Sequence, residues 1–319
     1  MNISYIPSPE VSSFHVGALT IHFYAICILT GIIAAVALTT RRWKQVGGTF
    51  DQICDISLYS VIAGIIGARV YHIITTPERF FGSTGDWTEM FRIWNGGLGI
   101  WGGVLFGALA ALFTCKKRHY PAGLLADAVA PGLLIAQAIG RLGNWFNKEL
   151  YGDQTTLPWG LKVDNSGVLY QPTFLYELLW NLLGACILIA VSRKVSAIFA
   201  SGSLFAMYIM WYTLGRTFIE SLRIDYSHVF LGVRINVWVS ILVFVFGAVL
   251  FVILQRDPHP TRIELIEQLH TISETEKNST ALNKSDKNSS AASSLEDIDT
   301  SRDETSNETH VEQEDDTIA

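Results

Sequence analysis

Residues 140–152 read GRLGNWFNKELYG, and they follow directly on an almost uninterrupted apolar run over 123–139. Together, the run and the start of this stretch approach the roughly 20 mostly apolar residues that a helix needs to cross a bilayer. Arg141, Asn144 and Glu149 therefore stand at the edge of a predicted membrane helix. An ionisable side chain at membrane depth costs roughly 2.5–3.5 kcal/mol on insertion scales, and its default interpretation is functional. The stretch predicts a polar site at one end of a membrane helix.

The composition is that of a polytopic membrane protein. Half of the 319 residues are hydrophobic and only 16% are charged, which is unusual for a soluble domain. The net charge of −6 is unevenly spread, because residues 263–319 contain 15 acidic and 4 basic residues, which leaves about +5 on residues 1–262. A basic membrane body is therefore followed by an acidic tail.

Seven segments are apolar enough to be predicted as transmembrane helices, so the predicted fold class is an all-α polytopic membrane protein. They are 19–39, 53–74, 96–115, 123–143, 174–191, 203–220 and 236–254.

Basic residues follow alternate segments of this set. They occupy positions 41–44, 116–118 and 193–194, and Arg256 and Arg262 follow the last segment. Since lysine and arginine favour cytoplasmic loops, the N-terminus is predicted outside and the C-terminus in the cytoplasm. Residues 1–262 then form a seven-helix membrane domain with an outer-face segment at 144–173. The polar stretch 263–319 has almost no aromatic residues, and we interpret it as a disordered cytoplasmic tail.

Further polar residues recur inside the apolar body. Tyr212, Arg216 and Glu220 are spaced at four-residue steps, which places them on nearly one helical face. Glu177 opens the fifth segment. Arginine binds phosphate oxygens in a planar, bidentate manner, so Arg141 and Arg216 with nearby carboxylates predict a pocket for an anionic, phosphate-bearing ligand.

Two further arginines lie near helix ends. Arg69 and Arg223 are explained equally well by snorkelling to the headgroup layer and by a functional role. The sequence NGGLGIWGG, residues 95–103, has five glycines in nine positions. Such density allows close approach of a ligand or of another helix, and helix packing explains it equally well.

No signal for a cofactor or a metal is present. The sequence contains no P-loop, no dinucleotide fingerprint and no cluster with metal-ligand spacing, and its four cysteines form no CxxC pair. We therefore expect no cofactor, no bound metal and no nucleic-acid partner.

The motifs together resemble the prolipoprotein diacylglyceryl transferase family. The stretch GRLGNWFNKELYG is similar to the family signature at Gly140, Arg141, Gly143, Asn144, Asn147, Glu149 and Gly152. HFYAI around Tyr24, NGGLGIWGG, QPTFLYE at 171–177 and YTLGRTFIESLR at 212–223 resemble the family in the same order. The resemblance extends over roughly residues 15–255.

This resemblance implies an enzyme of the bacterial cytoplasmic membrane with its active site toward the outer leaflet. It would transfer the diacylglyceryl group of phosphatidylglycerol to the lipobox cysteine of a prolipoprotein, forming a thioether and releasing glycerol phosphate. The implied catalytic residues are Arg141, Arg216 and Tyr24. The implied lipid-binding residues are Arg141, Asn144, Glu149, Gly152, Glu177, Tyr212 and Glu220, and the implied glycine-rich segment includes Gly97, Gly99, Trp101 and Gly102.

The sequence departs from the family pattern at two positions. Many members carry histidine within the glycine-rich segment, where this chain has Trp101, a residue typical of the actinobacterial branch. Trp101 cannot act as a base, so the group that deprotonates the thiol is left open. Gln171 stands where other members have histidine.

Two other functions fit parts of the pattern. A transporter of an anionic, phosphate-bearing metabolite would also carry intramembrane arginines, but it more often shows internal repeats, and none is evident. A phosphatidyltransferase of the CDP-alcohol type would need several metal-binding aspartates on one helix. Asp51, Asp55 and Asp127 do not form that pattern.

Overall fold

Seven long helices make up most of the described part of the chain in the computed structural model. The structure describes residues 5–17, 19–81, 85–92, 96–195, 199–227, 229–256, 260–279 and 281. The helices are α1 (Phe23–Gln45), α2 (Phe50–Thr75), α3 (Ile100–Arg118), α4 (Ala122–Asn147), α5 (Thr173–Val195), α6 (Ser203–Ser221) and α7 (Ile235–Arg256). A helix satisfies its own backbone hydrogen bonds, which is required in a medium without water.

Six of these helices, all except α6, are long and apolar enough to cross a membrane. The sequence predicts seven crossings, and α6 falls short because Arg216 and Glu220 lower its mean hydropathy. Both of these side chains are turned toward other helices, and Glu220 is fully buried. The polarity of α6 is therefore directed into the protein.

Helices α1 and α4 pack antiparallel through small residues. Gly31 on α1 faces the backbone of Ala136 on α4, where an added Cβ would lie 3.0 Å from the carbonyl oxygen. Gly132 on α4 faces Ala35 on α1 at the same distance. The absence of side chains at these points lets α1 and α4 approach closely, as is common in membrane helix pairs.

The glycine-rich segment packs α3 against α2. A Cβ at Gly102 would lie 2.1 Å from the carbonyl oxygen of Gly67, and one at Gly99 would lie 2.3 Å from the ring of Tyr71. The φ angles of Gly96 and Gly97 are both +80°, a conformation that favours glycine. Helix packing and backbone conformation thus account for glycine at these positions.

The two ends of the bundle differ in structure. One end, which we call the sheet-bearing end, is where α1, α3, α5 and α7 begin. The strands lie there: β1 (Ile6–Pro7), β2 (Ser13–Val16), β3 (Leu19–His22), β4 (Leu161–Lys162), β5 (Leu169–Tyr170), β6 (Val229–Phe230) and β7 (Val233–Arg234). The other end, which we call the basic end, carries Arg41, Arg42, Lys116, Lys117, Arg118 and Arg193.

These strands correct the all-α expectation for the connecting segments. β1 pairs parallel with β4, β4 pairs antiparallel with β5, and β2 with β3 and β6 with β7 form two further antiparallel pairs. The connections at this end are long, and their backbone groups need hydrogen-bond partners that short turns do not require. The outer-face segment predicted at 144–173 thus contains the last turn of α4 and the pair β4–β5.

A further helix spans 262–279, within the tail for which the sequence predicts disorder. Thr261 and Glu264 bond to each other's backbone N–H in a capping box, at 3.1 and 3.3 Å. Arg262 forms an ion pair of 2.9 Å with Asp127 of α4, and Leu269 is fully buried. The helix was not predicted because the polar composition of the whole tail dominates the sequence pattern there. The rest of the predicted tail, 282–319, lies outside the described residues.

The close contact at Gly102 gives a paired test of α2–α3 packing. Gly102→Ala should destabilise the protein by about 1–3 kcal/mol, because its Cβ would meet backbone that cannot move aside. At the neighbouring Gly103 an added Cβ would have its nearest contact at 3.5 Å. Gly103→Ala should therefore be neutral or stabilise by up to about 1 kcal/mol. Thermal unfolding of the two purified variants measures the difference, and equal unfolding temperatures would contradict this packing.

Candidate functional site

Three helices bring one carboxylate between two guanidinium groups near the sheet-bearing end. Glu177 of α5 forms an ion pair with Arg141 of α4, in which Oε2 lies 2.6 Å from Nε. Its other oxygen, Oε1, accepts from Arg216 Nη1 of α6 at 2.9 Å. We call Arg141, Glu177 and Arg216 the ion-pair layer. The two arginines that the sequence singles out, 75 positions apart, are thus held by the same carboxylate.

A second carboxylate extends this layer toward the chain end of α6. Through Oε2, Glu220 forms an ion pair with Arg216 Nη2 at 2.8 Å and accepts a hydrogen bond from Arg223 Nη1 at 2.9 Å. Its Oε1 accepts from Arg234 Nε at 3.2 Å and from Asn236 Nδ2 at 2.9 Å. Four donors therefore surround a carboxylate with no exposed surface, which is what a buried charge requires.

Asp225, with a side chain that is 31% exposed, closes the network at its more exposed side. It accepts from Arg223 Nε at 2.7 Å and from Arg234 Nη2 at 3.1 Å. Burial alone would raise the pKa of the Asp225 carboxyl, but the hydrogen bond from Arg223 and the charges of both arginines outweigh burial and hold that pKa below its ordinary value. Asp225 thus remains ionised at neutral pH.

Four guanidinium groups (Arg141, Arg216, Arg223 and Arg234) and three carboxylates (Glu177, Glu220 and Asp225) form the ion pairs of the network. A fourth carboxylate, Glu149, joins it through Asn144, so positive charge is in excess only around Glu177, where two guanidinium groups meet one carboxylate. The side chains of Arg223 and Arg234 are 6% and 15% exposed, whereas those of Arg141 and Arg216 are 18% and 19% exposed. The two arginines of the ion-pair layer are therefore the members best placed to receive an anion.

Both arginines retain donors for such a ligand. Arg141 uses Nε for Glu177 and Nη1 for the Asn144 side-chain oxygen at 3.0 Å. Arg216 uses Nη1 for Glu177 and Nη2 for Glu220. Within the described part of the chain, Nη2 of Arg141 and Nε of Arg216 have no hydrogen-bond partner. The layer can thus bind an anionic oxygen without breaking its own ion pairs.

The stretch GRLGNWFNKELYG turns sharply just beyond Arg141. α4 ends at Asn147, and Lys148 and Leu150 adopt positive φ angles of 54° and 60°, which are unfavourable for residues other than glycine. This turn returns Glu149 to α4, where it accepts from Asn144 Nδ2 at 2.8 Å. Glu149 therefore fixes Asn144, and Asn144 in turn orients Arg141.

Gly152 continues the turn in a backbone position. Its N–H donates to the carbonyl of Gln171 at 2.9 Å, and it forms an isolated antiparallel bridge with Arg223. A Cβ at Gly152 would lie 2.7 Å from the carbonyl oxygen of Leu222. The glycine thus permits close pairing of the segment after α4 with the segment after α6. This pairing links the chain that follows Arg141 to the chain that carries Arg223.

The two predicted tyrosines lie on different helices. The ring of Tyr24 packs on Gly143 of α4, where an added Cβ would lie 2.5 Å from the ring. Tyr212 precedes Arg216 by one turn of α6, and its ring stacks with that of Tyr208 at 6.2 Å. The structure therefore places Tyr24 against the signature stretch and Tyr212 on the arginine-bearing helix.

A reciprocal tryptophan pair fixes α5 against α6. The indole N–H of Trp180 donates to the carbonyl of Trp211, and that of Trp211 donates to the carbonyl of Trp180, each at 3.0 Å. The rings stack at 4.4 Å with an interplanar angle of 16°. Each indole lies against a glycine of the other helix, since a Cβ at Gly184 or Gly215 would be 2.2 Å from the indole nitrogen.

This pair stands next to the ion-pair layer in sequence. Trp180 is three residues from Glu177, and Gly215 directly precedes Arg216. Because each indole bonds to one particular carbonyl, a shift of α5 along α6 would break both hydrogen bonds at once. The tryptophans therefore fix the register in which Glu177 meets Arg216.

The glycine-rich segment is supported by another arginine. Arg69 donates to the carbonyls of Met90, Gly96 and Gly97 at 2.8–2.9 Å, and also to that of Glu89. Arg69 is thus a buried organiser of the connection between α2 and α3, and neither Arg69 nor Arg223 snorkels. Trp101, in the first turn of α3, is 50% exposed. Among the described residues, the ion pairs of the network join α4, α5, α6 and the segment before α7. Gly97, Gly99, Trp101 and Gly102 form none of these ion pairs.

Sequence reasoning missed Arg234, Asn236 and Asp225 as members of the network. They lie in the connection to α7 and at its start, where isolated polar residues are common. One feature of the sequence could have indicated these partners. Glu220 lies in an apolar helix, and a buried carboxylate there needs more hydrogen-bond donors than α6 supplies.

Comparison with known proteins agrees with these motifs. Residues 11–253 match the family model described as prolipoprotein diacylglyceryl transferase. A Bifidobacterium adolescentis protein named phosphatidylglycerol–prolipoprotein diacylglyceryl transferase is 60% identical over 294 residues, covering 86% of this chain and 87% of the relative.

Two relatives from other genera carry related names. A Streptomyces coelicolor protein, phosphatidylglycerol–prolipoprotein diacylglyceryl transferase 2, is 45% identical over 82% of this chain and 84% of its own length. A Cutibacterium acnes protein with the name of the Bifidobacterium relative is 46% identical over 79% of this chain and 87% of its own length. Since the family model covers most of the chain, the chain belongs to the prolipoprotein diacylglyceryl transferase family.

Proposed function

We propose that this chain transfers the diacylglyceryl group of phosphatidylglycerol to the thiol of a prolipoprotein's lipobox cysteine, in a bacterial cytoplasmic membrane. Family membership and the names of the relatives, which state both substrates, support this activity. It is the first step of lipoprotein maturation. The observation that carries the proposal is the ion-pair layer, in which Glu177 joins Arg141 and Arg216 at 2.6 and 2.9 Å.

The local charge of the ion-pair layer suits a phosphodiester. Its two guanidinium groups share one carboxylate, Glu177, which leaves a local excess of positive charge, and the phosphate of phosphatidylglycerol carries one negative charge. A lipid phosphate beside Arg141 and Arg216 would receive charge-assisted hydrogen bonds from both. Its acyl chains would remain in the apolar part of the bundle or the bilayer.

The reaction is a displacement at a glycerol carbon. The cysteine sulfur forms a bond to the carbon of the diacylglyceryl group that carries the phosphate ester oxygen. The bond between that carbon and oxygen breaks, and its electron pair leaves with glycerol phosphate. Negative charge therefore grows on the phosphate during the step, and preorganised guanidinium groups at that point stabilise the transition state.

The neighbouring residues orient these two arginines. Asn144, fixed by Glu149, positions Arg141, whereas Glu177 and Glu220 position Arg216. Tyr24 and Tyr212 border the site from α1 and α6. In this proposal Gly152 supports the site through the backbone, and the glycine-rich segment acts as a packing element that places Trp101 beside the lipid or the peptide.

We place the sheet-bearing end outside the cell, with seven crossings in total. The basic residues gather at the opposite end, which fits a cytoplasmic location for that end and for the C-terminal helix. α6 is the seventh crossing, because it runs antiparallel between α5 and α7, both of which are long and apolar enough to span. The site then opens toward the outer leaflet.

The thiolate can form without a histidine at position 101. A free cysteine has a pKa near 8.5, so a few per cent is ionised at neutral pH. The positive charges of Arg141 and Arg216 favour the anion and increase that fraction. We infer that positive potential, and not an imidazole, supplies the nucleophile, with the thiol proton passing to water.

The central arginines give the first test of this function. Arg141→Ala and Arg216→Ala should each lower the initial transfer rate about 10²–10³-fold, because each removes a preorganised donor from the charged transition state. Lysine should restore little, since it lacks the bidentate geometry. The rate is measured by mass spectrometry of a lipobox peptide with phosphatidylglycerol. Arg118→Ala, at the exposed basic end, is the control, and near-parental transfer by either site variant would contradict the assignment.

The source of the thiolate gives a second test. His22, the histidine nearest to Tyr24 in sequence, is exposed at the start of α1. His22→Ala should lower the rate less than the roughly 10²–10⁴-fold typical of a lost general base, and Trp101→Phe should retain substantial activity. Transfer rates are compared against pH. Histidine would be identified as the base if His22→Ala lost nearly all activity and its rate–pH profile lost an inflection at about pH 6–7.

A further inference from the structure

Two side-chain amides lie one helical turn deeper than the ion-pair layer. Gln137 precedes Arg141 by four residues on α4, and Asn181 follows Glu177 by four residues on α5. Because α4 and α5 are antiparallel and meet at Arg141 and Glu177, both amides are displaced from that layer in the same direction, by about 6 Å along the helix axes. We call Gln137 and Asn181 the amide layer.

Apolar packing begins directly below this layer. Ala130 and Leu134 of α4, Ala185 and Leu188 of α5, and Leu204 of α6 form a buried hydrophobic cluster. Leu134 is three residues from Gln137, and Ala185 is four residues from Asn181. The amide layer is thus the last polar level between the charged network and the core.

Both amides have unused hydrogen-bonding capacity. Asn181 is only 2% exposed, and its Nδ2 is buried with no hydrogen-bond partner in the described part of the chain. The Oε1 of Gln137 is also buried without a partner there, while its Nε2 donates to the Tyr208 hydroxyl at 3.0 Å. Buried polar groups in proteins are almost always paired, so two such atoms at one level indicate a missing ligand.

Gln137 can present a donor as well as an acceptor. A tyrosine hydroxyl both donates and accepts, so the Gln137 amide can rotate by half a turn and accept from Tyr208 instead. Its Nε2 is then the unpaired atom. In that orientation the layer offers N–H donors from two helices and suits a ligand that only accepts hydrogen bonds.

We propose that the amide layer binds the ester carbonyl groups of the phospholipid whose phosphate lies at Arg141 and Arg216. The proposal rests on the proposed function and assigns a second level of the same site. Ester carbonyls only accept hydrogen bonds, and the three-carbon glycerol unit separates them from the phosphate by a reach comparable with one helical turn. Gln137 and Asn181 are then specificity-determining residues that hold the diacylglyceryl carbon in line for attack.

The test compares two lipids that differ only in the carbonyl oxygens. Diester phosphatidylglycerol and its diether analogue, with equal chain lengths, are titrated against the full-length protein in detergent, and binding is followed by tryptophan fluorescence. Each hydrogen bond to a carbonyl should favour the diester about 2–10-fold. Asn181→Leu and Gln137→Met should weaken diester binding by that factor and leave diether binding unchanged.

A matched control separates lipid recognition from general packing. Thr213 of α6 is 5% exposed, and its hydroxyl donates to the carbonyl of Ile209 in the same helix at 2.7 Å. Thr213→Val also removes a buried polar group, and it should leave the diester-to-diether ratio at the parental value. If one amide variant fails to fold, the other carries the comparison, because they lie on different helices.

The outcomes distinguish the subsite from the enzyme assignment. Equal binding of the two lipids by the parent, or equal weakening of both in the amide variants, would overturn the subsite and indicate that the amides bond to a structural water. Transfer to a lipobox peptide is measured separately. Ester-selective binding without transfer would retain the subsite and contradict the proposed function. Transfer without ester-selective binding would retain the proposed function and contradict the subsite.

Discussion

The structure depends on one carboxylate shared by two guanidinium groups between three packed helices. Without Glu177, Arg141 and Arg216 would repel each other in a medium of low polarity, where an unpaired charge is very costly. With it, two cations from separate helices remain close together and keep donors available. The carboxylate makes a site with two neighbouring guanidinium groups compatible with a folded membrane protein.

The rest of the bundle keeps these three side chains in register. α4 is held to α1 through glycine contacts, and α5 is held to α6 by the reciprocal hydrogen bonds of Trp180 and Trp211. On the water side, Glu220 gathers Arg223 and Arg234 around itself, so the arginines outside the ion-pair layer are already neutralised. Packing thus decides which arginines remain available to a ligand.

Much of this arrangement could be predicted from the sequence. Long apolar segments specify membrane helices because the bilayer permits few alternatives, and the four-residue spacing of Arg216 and Glu220 predicts their common face. The sequence did not indicate that Glu177 would bridge to Arg141, since partners on separate helices depend on packing. It also attributed a possible ligand role to glycines that pack α2 against α3, because close approach to a helix and to a lipid require the same residue.

The strands and the C-terminal helix show a different reason for incomplete prediction. The strands that pair are two to four residues long, too short for a period-two pattern to stand out. The helix over 262–279 was masked by the polar composition of the residues that follow it. The amides Gln137 and Asn181 gave no signal in the sequence, because a single amide within an apolar helix is ordinary until its hydrogen-bond partners are known.

The most direct test of the central claim is an experimental structure of the full chain with phosphatidylglycerol bound and no acceptor peptide, so that the lipid is not consumed. The account predicts that the lipid phosphate receives hydrogen bonds from both Arg141 and Arg216, at about 2.7–2.9 Å, while Glu177 still joins the two arginines. A phosphate held elsewhere, for example against the glycine-rich segment between α2 and α3, with both arginines left without a ligand, would contradict it.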